Sequence, residues 1–316
     1  MKNKMKILIA YDGSGFAEEA IEDLRHAGFP TDVEATVLSV TDAWELPETL
    51  DRASSRTGRF IHPTAETIQR HLAEVTGRAE TLAAAAAPRI RELFHGWTVS
   101  AEARLGKPAW EIIEKSDEWH ADLIVVGSHG RTALGRLLLG SVSQKVLNEA
   151  RCSVRISRKR AEENKEGLHV LVAVDGSVNA EAAVKEVAKR TWPEDTEIRL
   201  AAVNDPFTHP SGGYISWNLA EDKPEDNEES RAWIDKVIDS PTRILQAAGL
   251  TVSHTIRWGD AVNMILNEAN EWKADSIFMG ARGLGRFQRF WLGSVSSSVA
   301  ARVQCSVEIV RVKENG

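Results

Sequence analysis

The hydrophobic positions of this chain fall into two rhythms that alternate from one end to the other. Short unbroken apolar runs, such as Ile7 to Ala10 and Leu171 to Val174, predict strands buried on both faces, the habit of a parallel sheet. Between them, apolar residues recur at helical spacing. The first half predicts strands near 6–11, 34–40, 97–103, 122–127 and 153–157, and helices near 16–27, 63–95, 107–119 and 141–150. The second half predicts strands near 168–174, 197–203, 251–257, 275–279 and 306–312, with helices near 178–190, 225–248, 260–272 and 294–303. Such alternation implies a doubly wound α/β fold with right-handed crossovers. Two stretches fit less well. Pro88 interrupts the long second helix, which should kink or break there. Residues 204–223 carry Pro206, Pro210, Gly212 and Gly213 and read as a loop.

The chain also repeats itself. The segment Lys6 to Ser14 returns as His169 to Ser177, 163 residues later, each ending in Asp-Gly-Ser. Ala121 to Gly127 returns as Ala274 to Gly280, Gly140 to Ser143 as Gly293 to Ser296, and Cys152 to Val154 as Cys305 to Val307, all 153 residues later. Each half is therefore a complete copy, and the first holds ten extra residues between its first and fourth strands. The copies occupy 1–158 and 168–316. The charged segment 159–167 between them lacks apolar periodicity and reads as a linker.

The candidate chemistry lies where the fourth strand of each copy gives way to a helix. Gly127, Gly130, Gly140 and Ser141 spell G-x-x-G-x9-G-S, and Gly280, Gly283, Gly293 and Ser294 spell it again. Glycines let a backbone turn tightly and approach a ligand closely. The unpaired N–H groups that open the following helix favour an anion, and Ser141, Ser143, Ser294 and Ser296 could add hydroxyl donors. The residues between the glycines differ in the two copies while the glycines and serines persist. Asp12 and Asp175 end the first strand of each copy. In a 3-2-1-4-5 strand order they would share a crevice with the glycine loop, where the order reverses. Each Asp could bind a ribose hydroxyl or a base amine, or could cap the next helix, a task Ser14 and Ser177 could also perform.

Asp-Gly-Ser after strand one, G-x-x-G-x9-G-S after strand four and Cys-Ser-Val at strand five together resemble the ATP-binding subgroup of the universal stress protein family. The similarity covers nearly the whole chain, as two fused copies. It implies an adenine nucleotide α-hydrolase-like fold of two tandem five-stranded sheets. It implies that Ala10, Asp12 and Val40 contact adenine and ribose, that Val126 lines the base pocket, and that Gly127, Gly130, Gly140, Ser141, Val142 and Ser143 hold phosphates. The second set would be Ala173, Asp175, Val203 and Met279, then Gly280, Gly283, Gly293, Ser294, Val295 and Ser296. The ligand would be ATP, with Mg2+. The fifth strands would face each other in an internal pseudo-dimer, and a homodimer of the whole chain stays open. Where the family usually has Cys-Pro-Val, this chain has Ser153 and Ser306, a departure that concerns packing and not the nucleotide site.

Composition narrows the alternatives. A net charge of −7 argues against general nucleic-acid binding. No apolar run reaches the roughly 18–20 residues that span a bilayer, and the basic start lacks a signal-peptide core, so a cytoplasmic protein is expected. The two cysteines, Cys152 and Cys305, sit in strand-like segments and read as packing residues. There is no Walker A motif, and Ser211 to Gly213 follows strand two and not strand one, so it is not a pyrophosphatase-type loop. His129 could be a general base, but its counterpart is Arg282, which favours a solvent-facing loop His. The equivalent Arg136 and Arg289 could meet a γ-phosphate or a partner. Trp119 and Trp272 end matching helices and read as core. The expected function is a nucleotide-dependent regulator of stress or signalling and not an enzyme. The alternatives are a slow ATPase or nucleotidyl transferase, or a scaffold with vestigial sites.

Overall fold

The computed structural model describes residues 4–42, 64–130, 139–160, 167–205, 217–218, 223–224, 227–283 and 292–312. The first half runs β1 (Met5–Ala10), α1 (Gly15–Asp23), β2 (Val33–Thr41), α2 (Ala65–Leu93), β3 (Thr98–Leu105), α3 (Pro108–Trp119), β4 (Leu123–Gly127), α4 (Ser141–Glu149) and β5 (Ser153–Ser157). The second begins β6 (His169–Val174), α5 (Val178–Lys189), β7 (Glu197–Asn204) and the small ribbon β8 (Trp217–Asn218) with β9 (Lys223–Pro224). Helix α6 (Glu228–Ile234) then passes through a π-helical turn into α7 (Ser240–Ala247). Strand β10 (Thr251–Trp258), α8 (Ala261–Glu271), β11 (Ser276–Gly280), α9 (Ser294–Arg302) and β12 (Ser306–Val310) complete it.

Ten strands form one sheet in the order β10-β7-β6-β11-β12-β5-β4-β1-β2-β3. Within each half the order is 3-2-1-4-5 and every pairing is parallel. The two five-stranded sheets are fused. Strands β5 and β12 pair antiparallel, with Val154 opposite Ile309, Arg155 opposite Glu308 and Ile156 opposite Val307. An open strand edge leaves N–H and C=O groups without partners, and this seam satisfies them.

The seam has two unlike faces, because side chains alternate along a strand. Val154, Ile156, Val307 and Ile309 join an apolar core that runs unbroken from one half into the other. On the opposite face the cores are separate, one around Ile9, Leu24 and Ile90 and one around Val172, Leu200 and Phe278. Between them lies a chain of buried charges. Arg155, 0% exposed, reaches both oxygens of Asp23 at 2.7 and 3.0 Å and stands 3.5 Å from Glu308, itself 1% exposed. Glu308 accepts a further bond from Arg190, which also donates to the Ala27 carbonyl at 2.6 Å. The Ser306 hydroxyl donates to Asp23 at 2.7 Å. Two guanidiniums and two carboxylates thus cancel in sign across the seam.

Register locates the ten extra residues of the first copy. Glu34 pairs with Thr98 as Glu197 pairs with Thr251, so they fall between β2 and β3. Helix α2 runs through Pro88 without interruption, contrary to the expected break. Pro88 lies on the exposed face, where water can take the carbonyl that the ring leaves unbonded. Most of the 204–223 loop lies outside the described residues.

Trp119 and Trp272 pack against the shared core, with Lys6 over the first ring and His169 stacked on the second. Cys152 and Cys305 each stand one residue before a strand and are free thiols. Burial pushes the Cys152 thiol up to about 11 and the Cys305 thiol up to about 12. The thiolate is the reactive form. Native protein at neutral pH should therefore leave both thiols unlabelled by a disulfide reagent over minutes, and denaturant should release both. Rapid labelling of the folded chain would contradict this packing.

Candidate functional site

In each half the strand order reverses at the central pair, β1 beside β4 and β6 beside β11. The crevice at the carboxyl ends of such strands is where ligands of this fold class bind. Its floor is apolar. In the first half Ala10, Val40, Leu139 and Val142 are partly buried members of the shared core, around the buried Val126. In the second half Val203, Leu292 and Val295 stand in the same positions, around the buried Ala173 and Met279. All eight apolar residues that the sequence nominated belong to or pack against this core. The structure adds Leu139 and Leu292, whose signal was available: the same residue precedes Gly-Ser in both copies.

The wall of the crevice is the turn after the first strand. Gly13 and Gly176 both have φ of +75°, a conformation that suits glycine. Ser14 caps α1 by accepting from the Ala17 N–H at 3.2 Å, and Ser177 caps α5 by accepting from Ala180 at 3.1 Å. The aspartates are therefore not the caps. One oxygen of each accepts from the backbone two residues on, Asp12 from Ser14 at 3.0 Å and Asp175 from Ser177 at 2.9 Å, closing an Asx turn. The other oxygen faces the glycine loop. A Cβ built on Gly130 would stand 3.2 Å from Asp12 Oδ2, and one on Gly283 would overlap Asp175 Oδ2. Carboxylate and loop converge, as the sequence predicted.

The three glycines of the motif do different work. A Cβ on Gly127 would strike the Phe16 carbonyl at 2.7 Å, and one on Gly280 would strike Asn179 at 2.6 Å. These two glycines let the fourth strand approach the first helix. Gly140 and Gly293 are the N-caps of α4 and α9, and neither helix has a side-chain cap there. A Cβ on Gly140 would stand 3.1 Å from the His129 backbone and one on Gly293 3.5 Å from the Arg282 backbone, so both helix starts lie against the turn that follows the fourth strand. The serines correct one expectation. Ser143 and Ser296 are buried and donate their hydroxyls to the Gly127 and Gly280 carbonyls, at 2.7 and 2.8 Å. Those protons tie helix to strand, whereas Ser141 and Ser294 are exposed.

His129 is half-buried, so it faces solvent only in part. Its ring packs on Phe16 with centroids 5.0 Å apart, and Nδ1 lies 3.1 Å from the Ser128 hydroxyl. Phe16, at the first turn of α1, supplies the apolar surface that draws it in. Behind the site, burial and a hydrogen bond with Glu18 push the Tyr11 phenol up to about 12, so it stays neutral. Arg136 and Arg289 lie outside the described residues. Among those residues no group of three His, Cys, Asp or Glu side chains could hold a metal, and no helix is long and apolar enough to cross a membrane.

The family model of the universal stress proteins matches this chain twice, over residues 4–158 and 168–311. A universal stress protein of Methanocaldococcus jannaschii is 38% identical over 77 residues, which are 24% of this chain and 45% of that protein. A Staphylococcus haemolyticus protein named for the same family is 30% identical over 148 residues, 46% of this chain and 86% of that one. A solved universal stress protein from Archaeoglobus fulgidus superposes with a TM-score of 0.66 at 24% identity, covering 97% of this chain and 98% of its own. That last likeness concerns the fold.

Proposed function

The chain belongs to the universal stress protein family, and on that premise we propose that it binds ATP at one site per half and works as a nucleotide-dependent regulator of stress or signalling. The observation that carries the reading is a convergence present in both halves. An aspartate carboxylate set against a loop glycine and a helix start without a side-chain cap meet beside an apolar core. The floor suits a purine face, the carboxylate suits ribose hydroxyls or the exocyclic amine, and the helix start suits phosphates. Magnesium would arrive on the triphosphate, since the crevice has no metal cluster of its own among the described residues. The regulator would work in the cytoplasm, and occupancy would set conformation or partner choice.

Catalysis is not part of this reading. Uniform binding of ground and transition states gives no acceleration. The one candidate base, His129, is tied to Ser128 and Phe16 and is replaced by Arg282 in the other copy. Mass spectrometry of ligand released from purified protein should find an adenine nucleotide, and calorimetry with Mg-ATP should give a stoichiometry near two per chain. Turnover above roughly 1 s⁻¹ would instead favour an ATPase or transferase. No binding of any adenine nucleotide would sink the proposal.

The aspartates give a sharper test. Asp12→Ala and Asp175→Ala should each weaken binding in their own half by about 1–3 kcal/mol, the scale of a hydrogen bond to a charged group, with the fold intact. Unchanged affinity in both would return these residues to a purely local role in the turn.

A further inference from the structure

In an isologous pairing, a residue on the two-fold axis faces its own counterpart. The seam permits that comparison, because the halves are copies. Val154 and Val307 are equivalent, as are Ile156 and Ile309, and the pairs Val154–Ile309 and Ile156–Val307 exchange under the two-fold. Arg155 and Glu308 are equivalent to each other and also opposite each other, so they mark the axis. Above the strands, Ala27 is equivalent to Arg190, and they touch through the Arg190–Ala27 carbonyl bond. Gly28 is equivalent to Thr191, whose N–H donates to the Gly28 carbonyl at 2.9 Å.

Every one of these self-facing positions has diverged in a complementary sense: Arg against Glu, Arg against Ala, Thr against Gly. Next to them, Trp192 lies where any Cβ on Gly28 would collide with it, at 2.7 Å. Two pairs of seam bonds are symmetric. Arg158 donates its backbone N–H to Ser306 as Arg311 donates to Ser153, and each arginine reaches a helix carbonyl, Ala300 or Leu147. A pair of identical halves would keep those bonds.

We infer that the seam surface of each half is built to take a half of the opposite kind and to reject its own kind. A pair of first halves would bring two buried Arg155 guanidiniums together and leave a gap between facing Ala27 and Gly28. A pair of second halves would bring two Glu308 carboxylates together, set Arg190 against its own copy and crowd Trp192 against the Thr191 that replaces Gly28. Asp23 and Arg190 neutralise the axis charges from within each half, so the missing elements are the bond across the axis and the fit of large against small. Rejection by facing like charges and by crowding is as much a part of specificity as attraction. The partner is thus the other half, of the same chain or of a second copy. This inference does not depend on any ligand.

The test uses the intact chain with a protease site placed within residues 161–166, cut after folding. Isotopically heavy and light cut proteins are mixed and held until heavy first halves and light second halves have fully recombined. Native mass spectrometry then counts the pairings. Mixed pairs should exceed like pairs by at least about a hundredfold, as a broken buried charge pair implies. Like pairs in random proportions would overturn the inference. In the variant Asp23→Asn, Arg155→Met, Glu308→Met, like pairs should rise at least about tenfold. An unchanged ratio there would remove the charges from the explanation, and should that variant not fold, the wild-type count still decides.

Discussion

Replacing Arg155 with alanine is expected to lower the unfolding free energy by about 3–5 kcal/mol, the usual cost of stranding a buried charge partner. Among the described residues Arg155 is the cation that bonds Asp23, and it supplies one of the two guanidiniums at Glu308. Without it, Asp23 keeps its desolvation cost and loses its cationic partner, and Glu308 retains Arg190 alone. The pH dependence separates this from simple loss of packing. Burial already pushes the Glu308 carboxyl above its ordinary range, against the pull of Arg190 and Arg155. In the variant the loss of Arg155 lets the Glu308 carboxyl rise further. A group whose folded pKa is raised adds relative stability below its unfolded pKa and loses it as pH rises through the folded value. The variant's deficit in urea denaturation should therefore shrink as the pH falls from 7 toward 4. A deficit that is constant with pH would assign the effect to the cavity alone.

Valine at Gly283 should abolish nucleotide binding in the second half and leave the first intact. Its Cβ would overlap Asp175 Oδ2, so the loop or the carboxylate must shift. Overpacking of this kind costs about 1–3 kcal/mol, up to a hundredfold in affinity, before any lost approach of backbone to phosphate is counted. Gly130→Val should act likewise on the first half, less severely, because its Cβ meets Asp12 at 3.2 Å. Calorimetric stoichiometry should drop from about two to about one in either variant. Gly127→Ala and Gly280→Ala should behave differently, since their Cβ atoms meet the backbone of α1 and α5. Those two should lower thermal stability, with ligand loss following from unfolding. If Gly283→Val bound two nucleotides with unchanged affinity, the loop would have no part in the site.

Much of this architecture is legible in the sequence because it depends on local rules. Apolar runs gave the strands, helical spacing gave the helices, and the repeat gave two crevices with matching residues. What escaped depends on long-range packing. Arg155 and Glu308 read as ordinary charges in short strands, and only the register of β5 against β12 turns them into a buried pair. The clue was present, since one repeat position carries opposite charges in the two copies. Ser143 and Ser296 looked like phosphate ligands because spacing places them in the first helical turn. Which way a hydroxyl points depends on the nearest carbonyl, here at the end of the fourth strand. The partial burial of His129 was hidden for a similar reason, as Phe16 lies more than a hundred residues earlier in the chain. Pro88 broke a propensity rule without breaking the helix, because exposure of its face let water satisfy the backbone.

The antiparallel seam has a further consequence, for communication. All strands of one half run opposite to those of the other, so their carboxyl ends lie on opposite rims of the sheet. The crevices therefore open in opposite directions, displaced sideways by four strand steps, roughly 20 Å. No single nucleotide can bridge them, and neither bound molecule can touch the other. Any cooperativity between the sites must be carried by the protein, through β4, β5, β12 and β11 and the charges buried above them. A chain with independent sites would show two identical binding events, whereas coupled sites would lose their coupling when Arg155 is removed.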